Sequence, residues 1–295
     1  MRYQVLKRTF GSHGAIEISA EEFQGIRIAK RGLLAALGIE EKFNLLLENF
    51  AEFEAELLNL SLRHLVFADV SWSSFQGDIY TVNQRMVNLL SSTRLYRDHL
   101  LHELSELYGR DADILGEMKS RLTNEYDSSL AFRSMDVIRN HLQHRSFPVH
   151  GLTFRGSREE SEGSVWARHS ASPSLSVSEL RADPKVKRSV VAELAALGNE
   201  VCVTPLVREY VEALGRVHEA VRTAIASDVR RWEAQMSRIV ERGKATFGDV
   251  VGLAAVRVEG RTRRPKLRTC FLTSSTVAGF SNNVAVMRRT LRTIT

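Results

Sequence analysis

The chain has 295 residues, 43% apolar and 26% charged, enough for a sizeable core in one large domain or two ordinary ones. That balance excludes an intrinsically disordered chain, and five prolines suit long helices. The formal charge of +6 and the pI of about 9.5 come mainly from arginine. Arginine is a planar, bidentate phosphate partner and fits a nucleic-acid ligand, although it also accumulates through genomic base composition.

In chain order, residues 2–9 and 15–19 read as two short strands, a hairpin around Gly11-Ser12-His13-Gly14. Ser19-Ala20-Glu21-Glu22 then reads as a helix start, a capping residue with acids in the first turn. From about residue 40 the apolar positions Phe43, Leu46, Phe50, Phe53, Leu57 and Leu60 step by three and four, the stripe of a long amphipathic helix. Residues 77–107 repeat the pattern, and Gly109 fits the left-handed position just past the helix end. A third helix is predicted over about 123–145, stopped by Phe147-Pro148, since proline cannot continue the ladder and restricts its predecessor.

Residues 151–183 change character, with Gly, Ser, Arg and Glu dominant, and within them Ser170-Ala171-Ser172-Pro173-Ser174-Leu175-Ser176 reads as loop or irregular strand, the candidate domain boundary. A helix at about 184–198 follows, ending at Gly198. Thr204-Pro205, a capping residue with proline at the first turn, then opens a very long helix over about 205–245, with Val207, Tyr210, Leu214, Val217, Val221, Ile225, Val229 and Trp232 on one face. Residues 251–258 and 266–273 read as a strand pair, and about 280–293 as a last short helix. No long helix is apolar all round, so each needs partners. The expectation is a mainly α protein, a bundle of long antiparallel helices with small β-hairpin additions. The expected division is 1–155, a helical bundle with its N-terminal hairpin, and 156–295, a long-helix region with a small hairpin and a basic C-terminus.

Cys202 and Cys270 are far apart, which excludes a disulfide framework and a CxxC knuckle and suits a reducing compartment. The start of the chain has no apolar leader, and no apolar run nears the roughly 18–20 residues of a membrane helix. A cytoplasmic protein off the membrane is expected. There is no Walker loop, GxGxxG, HExxH or GxSxG, so no cofactor and no metal is expected.

The third helix ends with Arg139-Asn140-His141-Leu142-Gln143-His144-Arg145. This stretch resembles the Arg-x4–6-His signature of the HEPN superfamily, in which a polar residue follows the arginine. Phe132-Arg133-Ser134-Met135, the closing Phe147-Pro148-Val149, and Asn83, Arg85 and Arg94-Leu95-Tyr96-Arg97-Asp98-His99 on the preceding helix are similar to bacterial HEPN-like proteins of undefined role. The resemblance covers about residues 40–150. It implies an all-helical domain and, as in many members, a metal-independent ribonuclease working as a dimer. Five of the nine histidines follow an arginine by five positions, so spacing alone does not discriminate. The polar-residue rule leaves Arg97-Asp98…His102 and Arg139-Asn140…His144, and only the second closes the last core helix.

On an ideal helix Arg139 and His144 lie about 140° apart, whereas Asn140 and His144 share a face at about 40°. Two copies across a two-fold axis would pool these side chains on one phosphate, which agrees with the dimeric sites the resemblance implies. The chemistry would be attack of the ribose 2′-OH on the adjacent phosphate. His144 would be base or acid, Arg139 would neutralise the growing charge, and Asn140 would orient the phosphate or the imidazole. His141, Arg145 and the trio Arg94, Asp98 and His102 are candidate substrate contacts. So are Arg263 and Arg264, in the dense basic run 261–268. Each feature has a plainer reading. Arg139, His144 and Arg145 would stabilise a helix C-terminus, and Arg94, Asp98 and His102 would form a solvated ion-pair face. The expected function is an endoribonuclease, a toxin or defence factor. The alternative is a catalytically inactive HEPN-like module that binds RNA or a protein partner.

Overall fold

A computed structural model describes residues 1–9, 14–67, 71–161, 164–259 and 266–271. Among these the chain is mainly helical, with seven helices and two small antiparallel sheets. In order the elements are β1 (Arg2–Lys7), β2 (Ala15–Ile18), α1 (Ala20–Phe67), α2 (Trp72–Tyr108), α3 (Asp113–Ser128) and α4 (Leu130–His144). They continue with β3 (Gly151–Ser161), β4 (Ser164–Ser176), α5 (Val177–Ala182), α6 (Arg188–Leu197), β5 (Glu200–Cys202), α7 (Val203–Phe247), β6 (Leu253–Glu259) and β7 (Lys266–Phe271). Among the described residues no helix is long and apolar enough to cross a membrane. The segments expected as a last short helix and as the basic run, Arg263 and Arg264 included, lie outside the described residues.

The chain divides into two compact units. Unit 1 comprises Met1–Glu41, His102–Leu115 and the described residues from Ala220 on. Its sheet has the order β2-β1-β6-β7, with Val5 opposite Ile16 on one side and Ala255 on the other. Both expected hairpin pairings are therefore present. Ser19 forms a reciprocal capping box with Glu22: the Glu22 backbone N–H donates to the Ser19 hydroxyl, and the Ser19 N–H donates to the Glu22 carboxylate. α1 and α7 pack closely here because α1 carries glycines. A Cβ added at Gly32 would fall 2.5 Å from the Trp232 ring. Within the same unit Arg222 donates to both carboxylate oxygens of the buried Glu40, one bond measuring 2.8 Å.

Unit 2 comprises Lys42–Leu101 and Gly116–Glu219. The stripe from Phe43 to Leu60 is buried along its whole length, as its spacing requires. The His218 ring stacks on Phe43 at 3.8 Å, and its Nδ1 lies 3.0 Å from the Tyr96 hydroxyl. Arg97 of α2 donates to Asp136 of α4 at 2.6 Å and lies over the Phe132 ring, joining the two helices.

Three expectations are corrected here. The helix expected over about 123–145 is two helices, because Ser129 adopts an extended backbone and its hydroxyl accepts the Phe132 N–H, starting α4 afresh. Residues 170–176, expected as loop or irregular strand, belong to β4, which pairs in regular antiparallel register with β3 in a sheet of order β3-β4-β5. Along β4, Ala171, Pro173 and Leu175 are buried and alternate with Ser170, Ser172, Ser174 and Ser176, a period-2 pattern written in small residues. α7 begins at Val203, so Thr204 lies inside the helix rather than capping it, and its hydroxyl is buried without a hydrogen-bond partner.

Candidate functional site

The candidate site is the C-terminal turn of α4. Its helix starts at the Ser129 cap and buries Ala131, Phe132, Met135 and Ile138 on one face, which fixes what the last turn presents. Asn140 and His144 fall on the exposed side, and Arg139 is half-buried beside them. Arg139 Nη1 donates to the Asn140 side-chain oxygen at 3.2 Å. Among the described residues neither Arg139 nor His144 forms an ion pair with a carboxylate, which leaves the Arg139 guanidinium available to an anion. Two histidines of one turn thus have opposite fates.

His141 turns inward and is 2% exposed. Its Nδ1 lies 2.9 Å from Asp183 Oδ2, and its Nε2 lies 2.9 Å from the Ser146 hydroxyl. Both ring nitrogens are occupied inside the protein, so His141 is not presented as a direct RNA contact. Asp183 sits at the end of α5, and its other oxygen accepts the Lys185 backbone N–H at 3.0 Å. Arg145 Nε lies 3.9 Å from that same oxygen. The Lys185 N–H, then the His141 imidazole and the Arg145 charge, hold the Asp183 carboxyl below the usual carboxylate range. A cavity of about 120 Å³ borders Asp183 and is lined in addition by Leu180, Val186, Arg188 and Val191.

The segment leaving α4 is tied down as well. The Asn83 side chain accepts the Val149 N–H and donates to the Val149 carbonyl, each at 2.9 Å. His150 follows, and its Nδ1 accepts the Ser176 N–H. Burial lowers the His150 pKa from the ordinary histidine value, and nearby His141 lowers it further, against opposing pulls from Glu179 and Glu200.

Within the same unit, two further candidates on α2 are spent on each other. Arg94 pairs with Asp98 at 2.7 Å, both about half exposed, which is the solvated i, i+4 pair of the plainer reading. His102 is exposed farther along α2. The α2 arginine that does reach α4 is Arg97. Asp183 and Ser146 carried no signal in the sequence: an aspartate 42 residues from its histidine partner has no local pattern. Among the described residues no three His, Cys, Asp or Glu side chains converge as a metal-ligand set.

No family model matches the chain, and neither a curated protein nor a solved structure matches it.

Proposed function

We propose that the chain is a HEPN-like, metal-independent endoribonuclease that works as a cytoplasmic homodimer, in the role of a toxin or defence factor. On this reading residues 42–145 supply the antiparallel helical bundle, and the last turn of α4 supplies the chemistry. The observation that carries it is the exposure of Asn140 and His144 on one side of that turn, with the Arg139 guanidinium hydrogen-bonded to Asn140 and spent on no carboxylate.

In one copy His144 would take the proton from a ribose 2′-OH as that oxygen attacks the adjacent phosphorus. The departing 5′-oxygen would take a proton from water. Arg139 would neutralise the phosphorane charge, and Asn140 would hold a non-bridging oxygen. Products would carry 2′,3′-cyclic phosphate ends, and DNA, which lacks the 2′-OH, would not react.

The test is cleavage of a mixed RNA substrate in EDTA by the wild type and by His144→Ala. Cutting that leaves cyclic phosphate ends and disappears in the variant supports the reading. Absence of cutting, or equal cutting by both proteins, overturns it, and salt-sensitive RNA retention without cutting would favour a catalytically inactive binding module.

A further inference from the structure

Beyond RNA cleavage, the inward face of the same turn holds a second constellation. Asp183, His141 and Ser146 form a chain of two hydrogen bonds, each 2.9 Å, running from the interior to the surface. The Asp183 and His141 side chains are 2% and 3% exposed, and Ser146 lies in the exposed segment after α4. With Asp183 as acceptor, His141 carries its proton on Nδ1, which leaves Nε2 to accept the Ser146 hydroxyl proton. The Lys185 N–H fixes the far side of the carboxylate. An oriented carboxylate, an imidazole in the right tautomer and an accessible hydroxyl, in that order, are the parts that activate a serine. Next to Ser146 stands Arg145, half exposed. Its guanidinium is a cation suited to oxygen charge developing beside the nucleophile.

We propose that Ser146 is a nucleophile activated by the His141–Asp183 pair, able to accept an acyl group from a small ester. Ser146 Oγ forms a bond to the ester carbonyl carbon as its proton passes to His141 Nε2. Asp183 stabilises the resulting imidazolium. The carbon–oxygen bond to the leaving alcohol breaks, and the alcohol takes the proton from Nε2. Water then repeats the sequence on the acyl-serine, releasing the acid and restoring Ser146. This reading does not rest on RNA cleavage, because it uses the inward His141 and not the exposed His144.

The test is to incubate the full chain with a fluorophosphonate probe and to measure intact mass and the labelled peptide. The expected result is one adduct, on Ser146, absent in Ser146→Ala and formed roughly 100-fold or more slowly in Asp183→Asn and His141→Gln, as for other members of such relays. Ser146 is exposed, so Ser146→Ala keeps the fold, and thermal melts verify the buried variants. Should those variants fail to fold, Ser146→Cys decides with His141 and Asp183 intact. Iodoacetamide at pH 7 would alkylate the thiol introduced at position 146 about 10-fold or more faster than Cys202, since the imidazole favours a thiolate. An unlabelled folded wild type, an adduct elsewhere, or equal labelling rates in folded His141 and Asp183 variants overturns the proposal. So does an introduced thiol no more reactive than Cys202.

Discussion

Asn83 holds Val149 by both ends of its side-chain amide, two hydrogen bonds of 2.9 Å between residues 66 positions apart. Asn83 is 1% exposed and Val149 2%, so water does not substitute for either bond. Asn83→Ala orphans a buried N–H and a buried carbonyl and is expected to cost about 2–4 kcal/mol. Asn83→Asp keeps the acceptor but not the donor and should fall between the two. Urea midpoints of the three proteins check the order, and a midpoint for Asn83→Ala equal to wild type refutes it.

The pH dependence of stability follows from His150. Its folded pKa is depressed, so between that value and the ordinary value near 6.5 the unfolded chain binds the proton and the fold does not. The contribution is therefore fully present above about pH 6.5 and lost as pH falls through the folded pKa. Protonation at Nδ1 would also remove the acceptor for the Ser176 N–H. In His150→Asn, whose side-chain oxygen still accepts a hydrogen bond, the drop in urea midpoint between pH 7.5 and pH 5 should be smaller than in wild type. Identical drops would show that His150 does not titrate in this window.

The break at Ser129 predicts a local cost. Its hydroxyl accepts the Phe132 N–H and donates to Glu209 at 2.6 Å, so Ser129→Ala removes a cap and leaves Glu209 without that donor. The loss should be about 1–2 kcal/mol, and Ser129→Asp, which keeps the cap acceptor but sets a second carboxylate against Glu209, should not recover all of it. Thermal melts of both variants test this. Full recovery by Ser129→Asp would show that the Glu209 bond contributes nothing.

The long-range periodicity of this chain was legible because it is written in large side chains. Phe43 to Leu60 and Val207 to Trp232 keep one phase over many turns, and the structure buries both stripes. The hairpin β3–β4 was hidden because its buried face is Ala171, Pro173 and Leu175, whose contrast with the intervening serines is weak. The interruption at Ser129 was hidden for another reason: it precedes the apolar face Ala131, Met135 and Ile138, so that spacing does not cross it. At the candidate site the α4 motif was readable as a string, but a string does not say that His141 faces inward while His144 faces out. That difference comes from the buried face of α4 and from Asp183, supplied by a distant segment. Arg94 and Asp98 followed the local i, i+4 rule, which requires no tertiary information.

Gly32 measures how close the α1–α7 contact is. Alanine raises helix propensity over glycine by about 1 kcal/mol, which would stabilise an exposed position. Here the new Cβ would lie 2.5 Å from the Trp232 ring, itself 5% exposed, so helix or ring must shift at a cost of about 1–3 kcal/mol. Overpacking is expected to win, and Gly32→Ala should lower the urea midpoint. Trp232→Leu alone should also lower it, but the double variant should lose less than the sum, because the shorter side chain vacates the space that the Cβ needs. Additive losses would place the effect elsewhere.

The last prediction concerns the two-copy site. Arg139 and His144 lie about 140° apart around one helix, so the RNA-cleavage reading needs Arg139 from one copy to act with His144 from another. Arg139→Ala and His144→Ala homodimers should each lose at least about 100-fold in cleavage rate, the loss that removing a proton-transfer or charge-stabilising group brings. Mixing the two variants lets subunits exchange, and the mixed dimer keeps one intact Arg139 and one intact His144 in a shared cleft. Activity should rise above that of either parent in proportion to the mixed species, which native mass spectrometry counts. If mixing restores nothing while mixed dimers are present, Arg139 and His144 do not meet across the axis, and the shared-cleft arrangement is wrong even where the wild type cuts RNA.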